Sequence, residues 1–169
     1  MDKLEYIPGD LVMTNGVPLG TARYVVYRVT SSDPSKTLKL NDGTVLKGVA
    51  RLENLEGAEF GDKGFLFGDC CAWVKDIVPI RLTPEILEKN GWKQKVMSRG
   101  TQNSHWVYTK PDIEKYGYFP IYIEKGIGDE FDVYPFTDNN VCTQIAYIKY
   151  IHQLQHLLFG LGLNSDMEV

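Results

Sequence analysis

The sequence predicts an α+β fold: a small β-barrel of the SH3-like kind, then a helix, then an antiparallel sheet covered by a C-terminal helix. Three observations predict it. Short runs of β-branched and aromatic residues, broken by glycine-rich turns, fill the chain up to about Pro79. A helix start is written at Thr83-Pro84-Glu85. Period-two segments then lead into an amphipathic run from Tyr150 to Leu161. The expected units are residues 1–79, barrel-like, and residues 80–169, with helices over 84–90 and 150–161.

In the first unit, Asp10-Leu11-Val12-Met13 and Ala22 to Val29 read as strands separated by Gly16, Pro18 and Gly20. Ser31-Ser32-Asp33-Pro34-Ser35 reads as a polar turn. Asn41-Asp42-Gly43 is a hairpin signal with strands on either side, because these residues tolerate positive φ. Phe60 to Gly64 is a loop, and Cys71 to Ile77 a further strand. About five short strands in this length predict closure, which removes exposed edges.

The helix that follows is specified residue by residue. Thr83 caps it, Pro84 suits its first position and Glu85 faces the positive end of the dipole. Leu82 and Leu87 stand where a hydrophobic staple puts them, and Gly91 stops the helix. Ile86 and Leu87 are expected to face inward. Trp106-Val107-Tyr108, Phe119 to Ile123, Phe131 to Tyr134 and Gln144 to Ile148 then alternate as antiparallel strands. Gly126-Ile127-Gly128-Asp129 and Asp138-Asn139-Asn140 are the turns among the last three. In the last helix, Ile151, Leu154, Leu157, Leu158 and Leu161 form an apolar side. His152, Gln155, His156 and Phe159 form a mixed strip beside it. Asn164 to Val169 reads as a polar tail that frays.

A chain of 169 residues, 43% hydrophobic and 24% charged, is long enough for one domain or two small ones without staples. Its net charge of −4 and pI near 5.4 argue against a general polyanion binder. Nine basic and eleven acidic residues stand on each side of Ile80, so neither half is a hidden basic module. The amino terminus has no apolar leader pattern and no window reaches the roughly 20 apolar residues of a membrane span. A cytoplasmic protein with no membrane partner is expected, and three cysteines do not make a disulfide framework.

Two stretches carry a family likeness: Ile80-Arg81-Leu82-Thr83-Pro84-Glu85-Ile86-Leu87-Glu88-Lys89-Asn90-Gly91-Trp92, and Tyr150-Ile151-His152-Gln153-Leu154-Gln155-His156-Leu157-Leu158-Phe159. On these the chain resembles a family of small uncharacterised proteins from Bacteroidetes genomes, their prophages and their phages. The likeness covers residues 75–163 and reaches the front half only loosely. It implies a barrel-like front, a helix, a sheet closed by the C-terminal helix, and a mobile-element origin. The family has Asn where this chain has His156, and Thr-Gly near Gly162-Leu163.

Several constellations contain reactive residue types. His152 and His156 are one helical turn apart, a spacing that can present two imidazoles to a metal, with Cys142 and the adjacent Cys70-Cys71 as further ligands. The competing reading makes His152 an orienting hydrogen-bond donor and His156 a surface residue. Cys71 near Trp73 and Lys75, with a histidine elsewhere, is the minimum list for a thiol nucleophile, but a cysteine within a strand pattern is more often a buried small hydrophobe. Ser104-His105 and Asp129, Glu130 and Asp132 have no mechanistic spacing. Gly61-Asp62-Lys63-Gly64 and Gly126-Ile127-Gly128 match neither a phosphate loop nor a dinucleotide fingerprint. Ten tyrosines are present, with Tyr116, Tyr118, Tyr122 and Tyr134 around the sheet. On an uncovered face, Tyr122 and Tyr134 would stack bases or grip a partner; if the face is covered they are core.

The expected function is a non-enzymatic binding or accessory protein of a phage or prophage, occupying a host protein or a small signalling ligand. A sponge for a nucleotide signal is one specific form, and it predicts a concave site lined by aromatic and cationic residues. Its candidate ligand or partner residues are Tyr122, Tyr134, His152, Gln155 and His156, with no catalytic residue, metal or cofactor assigned. One alternative is a nucleic-acid-associated protein using Arg23, Arg28, Lys39 and Lys47, which the charge does not favour. A second is a metal-dependent hydrolase using His152, His156 and a cysteine.

Overall fold

The structure, a computed structural model, describes residues 5–16, 25–55, 70–99, 103–111, 121–135 and 143–169. The chain divides into two compact units, Met1–Ile80 and Arg81–Val169. Arg23, Tyr116, Tyr118, Cys142, the Gly61 to Gly64 loop and the Asp138 to Asn140 turn lie outside the described residues.

The N-terminal unit contains β1 (Leu11–Thr14), β2 (Tyr27–Lys39), β3 (Val45–Asn54), β4 (Cys70–Trp73) and β5 (Ile77–Pro79), in one antiparallel sheet ordered β4-β3-β2-β1-β5. The expected closed barrel is not formed. β4 and β5 are the two edges, and no ladder joins them among the described residues. They are nevertheless linked by only a three-residue 3-10 helix, Val74–Asp76. Four peptide steps span at most about 14 Å, whereas five flat strands would stand about 19 Å across. The sheet therefore curls, and its edges approach without pairing. Its concave side holds Tyr6, Val12, Val25, Tyr27, Val29, Ala50, Leu52, Ala72 and Ile77.

The 3-10 helix also interrupts the strand expected from Cys71 to Ile77. Its buried Asp76 accepts from Asn15 Nδ2 at 2.9 Å, while Asn15 N–H donates to the Asp76 carbonyl at 3.0 Å. These bonds tie the turn to the end of β1. The turn expected at Ser31 to Ser35 is instead part of β2. Register shifts at Val29/Ser31 and Asp33/Thr37 absorb it, since Pro34 has no N–H for the ladder and sits within the second irregularity. Asn41-Asp42-Gly43 does turn the chain. Gly43 has φ 89°, and Asp42 Oδ1 accepts from Thr44 N–H at 2.9 Å.

The C-terminal unit contains α1 (Pro84–Lys89), β6 (Lys93–Arg99), β7 (Asn103–Thr109), β8 (Ile121–Lys125), β9 (Phe131–Pro135), β10 (Ala146–Ile148) and α2 (Ile151–Gly160). Its sheet is antiparallel, in order β10-β9-β8-β7-β6. Among the described residues, two five-stranded antiparallel sheets with two short helices thus replace the expected α+β plan of a barrel, a helix and a helix-covered sheet. Sequence periodicity missed β6 because Lys93-Gln94-Lys95 carries no apolar alternation; pairing with β7 from Lys93↔Thr109 to Arg99↔Asn103 makes it a strand.

Both helices close with the same motif. Thr83 Oγ1 accepts from Ile86 N–H, and Leu82 and Leu87 are buried. At the far end Gly91 has φ 82°, Trp92 N–H bonds Leu87 O at 3.0 Å and Gly91 N–H bonds Glu88 O at 3.0 Å. In α2, Leu163 N–H bonds Leu158 O at 2.9 Å and Gly162 N–H bonds Phe159 O at 2.9 Å, with Gly162 at φ 70°. Each is a left-handed closure that satisfies the last carbonyls. The tail does not fray. Asn90 donates to Glu168 O and accepts from Glu168 N–H, both at 2.8 Å, and Met167 is buried.

Candidate ligand-binding face

Alternation along β3 separates two surfaces. Leu46, Ala50 and Leu52 point into the curl, whereas Lys47, Val49, Arg51 and Glu53 point outward. Pairing then sets two cross-strand rows on the outward side. Ser31 and Cys71 flank Arg51; Asp33 and Trp73 flank Val49. With Ser32, and Lys36 from the irregular part of β2, these residues line a concave volume of about 380 Å³, within the range of small-molecule sites.

The rows differ in chemistry. Val49 is an apolar floor with the Trp73 indole on one side and the Asp33 carboxylate on the other. Asp33 Oδ1 accepts from Ser35 Oγ at 2.6 Å and from Ser35 N–H at 3.0 Å. The Ser35 hydroxyl, then its amide, with a smaller effect of nearby Lys36, hold the carboxyl below the usual aspartate range, so it is an acceptor at neutral pH. The second row places the Arg51 guanidinium between a serine hydroxyl and the Cys71 thiol. Two residues along a strand separate the rows, about 6.7 Å.

Cys71 is a free, exposed thiol, where a buried one was expected. The parity of β4 decides this, since Ala72 takes the core side. Among the described residues that line this volume there is no histidine to serve the thiol as a base.

The five residues singled out from the sequence fall into two groups. Tyr122 and Tyr134 pair across β8 and β9 and stack, with ring centroids 5.2 Å apart and 15° between planes. Tyr122 is 1% exposed, and Ile121 and Ile123 beside it are also buried, so β8 is covered on both faces. An open tyrosine platform is therefore not available at Tyr122. His152, Gln155 and His156 lie on α2. His152 is 7% and Gln155 4% exposed, so the first half of the mixed strip lies inside, whereas Phe159 at its end is exposed. Leu161, expected inward, is exposed.

His152 stacks on Tyr150 with centroids 5.8 Å apart and meets His156 edge-on at 5.7 Å. Burial, and secondarily the neighbouring His156, lower its pKa to about 4. It is a neutral core imidazole at physiological pH. Gln155 Nε2 donates to Ser165 O at 3.3 Å, which joins helix and tail. Among the described residues no three His, Cys, Asp or Glu side chains are grouped to hold a metal ion.

Of the basic residues considered for nucleic acid, Lys39 and Lys47 stand diagonally across the β2–β3 ladder, where Lys39 pairs with Val45 and Thr37 with Lys47, and Arg28 lies at the other end of it. Arg28 pairs with Glu53 at 3.6 Å, and Lys47 is six residues from Glu53 along β3, about 20 Å away. No helix among the described residues is long and apolar enough to cross a membrane. Comparison with protein-family models, with curated proteins and with solved structures finds no match.

Proposed function

We propose that this protein is a non-enzymatic binding module, a phage or prophage accessory protein that sequesters a small ligand on the outward face of β2, β3 and β4. One observation carries the reading: Trp73, Val49, Arg51, Asp33 and Ser31 converge on one concave volume from three strands. An indole and an aliphatic floor supply contact area; the guanidinium and carboxylate at the margin supply orientation. The face lies on paired strands, so it is preorganised and little ordering entropy is lost on binding. The lining offers no nucleophile–base pair, which favours holding over turnover.

The test is native mass spectrometry of the protein after incubation with a small-molecule extract of bacterial cytosol. The wild type is expected to carry a discrete mass increment that a W73A/R51A variant loses. An increment of equal occupancy on both proteins overturns the assignment of the site, as does none on either.

A further inference from the structure

We infer that the ligand of this face is a guanine nucleotide, its base over Val49 between Trp73 and Asp33 and its phosphate at Arg51. This rests on the site proposed above and names its ligand class. A planar ring laid on Val49 touches the indole on the β4 side and presents an edge to Asp33 on the β2 side, because both residues pair directly with Val49. Each lies one strand spacing away, about 4.8 Å.

The edge that meets Asp33 must donate. An ionised carboxylate is acceptor-only, and Oδ1 already takes two hydrogen bonds from Ser35. Guanine offers adjacent N1–H and N2–H donors there, which converge on Oδ2 because Oδ1 is already taken twice by Ser35. Adenine sets an N1 lone pair against the same charge. A pyrimidine offers less ring area to the indole and the floor.

The second row takes the anion. Arg51 stands one outward position along β3, about 6.7 Å from Val49, the direction in which a ribose carries its 5′-phosphate away from the base. Ser31 faces Arg51 across the ladder, so a guanidinium and a hydroxyl stand at that end. Lys36 belongs to the other end, where it acts on Asp33. The site thus has its carboxylate acceptor, with Lys36 beside it, at the base end and Arg51 at the phosphate end. A simple anion such as inorganic phosphate uses half of it.

Isothermal titration of the wild type with GMP, AMP, guanosine and inorganic phosphate tests this. GMP is expected to bind about tenfold or more tightly than AMP and than guanosine, since each comparison removes one charge-assisted contact. The variants separate the contacts. D33N should abolish the preference for GMP over AMP while keeping that for GMP over guanosine; R51A should do the reverse; W73A should weaken both nucleotides alike. A merely structural role for Asp33 or Arg51 would lower all affinities together.

No GMP binding, or equal binding of GMP and AMP, overturns the guanine assignment. If the extract increment is still lost in W73A/R51A, the site stands and only the ligand class falls. GMP binding unchanged in D33N, R51A and W73A refutes both site and class.

Discussion

The buried imidazole of His152 makes the stability of the C-terminal unit depend on pH in a window that carboxylates do not share. In the fold its pKa is lowered to about 4 from an unperturbed 6.5, chiefly by burial. The neutral form is thus favoured by folding, and on acidification the unfolded chain takes the proton first. Stability is full above about pH 6.5, falls as pH drops toward 4 and is level below, where both states are protonated. At pH 5 the linkage relation gives a loss of about 2 kcal/mol relative to pH 8, with a limit of about 3 kcal/mol at lower pH. That is a large share of the stability of a small unit.

The assay is urea denaturation at pH 4.5 to 8 in a W73F background, where the remaining tryptophans, Trp92 and Trp106, both lie in the C-terminal unit. His152→Gln removes the titrating group and keeps a hydrogen-bonding side chain of similar reach. Wild type minus variant should fall by about 2 kcal/mol between pH 8 and pH 5. Carboxylates with lowered pKa, such as Asp33, Asp42 and Glu85, lose their contributions only as pH falls through still lower values, and they are common to both proteins. A stability difference that stays constant across the range would refute the account of His152 as a neutral core group.

Two further substitutions probe the architecture. A Cβ at Gly48, where φ is 72°, would lie 2.9 Å from Val74 Cγ2 on the 3-10 helix. Gly48→Ala should therefore destabilise the N-terminal unit by on the order of 2 kcal/mol or more, and adding Val74→Ala should restore only the steric part; unchanged urea midpoints would show that the close approach is not maintained. Asn90→Ala removes both bonds to Glu168, so a cost of about 1–2 kcal/mol is expected. Amide exchange at Met167 and Glu168 should accelerate with it, and unaltered exchange would mean that the tail is held by other contacts.

What the sequence made legible was local. The Thr83 cap, the Leu82–Leu87 staple and the Gly91 stop each act within one or two turns of chain, and α1 forms accordingly. The Asn41-Asp42-Gly43 hairpin is similarly self-contained. The outward face was not legible, although Cys71 and Trp73 were in view. Strand parity shows that Val49 and Arg51 share a side, but the register placing Cys71 opposite Arg51 and Trp73 opposite Val49 belongs to a pairing across the whole β3–β4 connection. A one-residue slip would have put Ala72 outward and both Cys71 and Trp73 into the curl.

Cys71 at the surface and His152 in the core have one physical reason. Residue type sets the free energy of exposure, and partners from elsewhere in the chain decide whether that cost is met. A thiol loses little by facing water, so the register of β4 is governed by Ala72 and leaves Cys71, Trp73 and Arg51 outside. An imidazole can enter a core if it stays neutral, and its ring stacks on Tyr150 there. The apolar side of α2 is correspondingly wider than leucine spacing shows: Ile151, His152, Leu154, Gln155 and Leu158 together cover about 160° of the helix at 100° per residue. The polar residues of α2 are therefore constrained by packing, and substitution there reports on stability. The outward side chains of β2 to β4 carry little of the fold, which leaves their identities open to be set by a ligand.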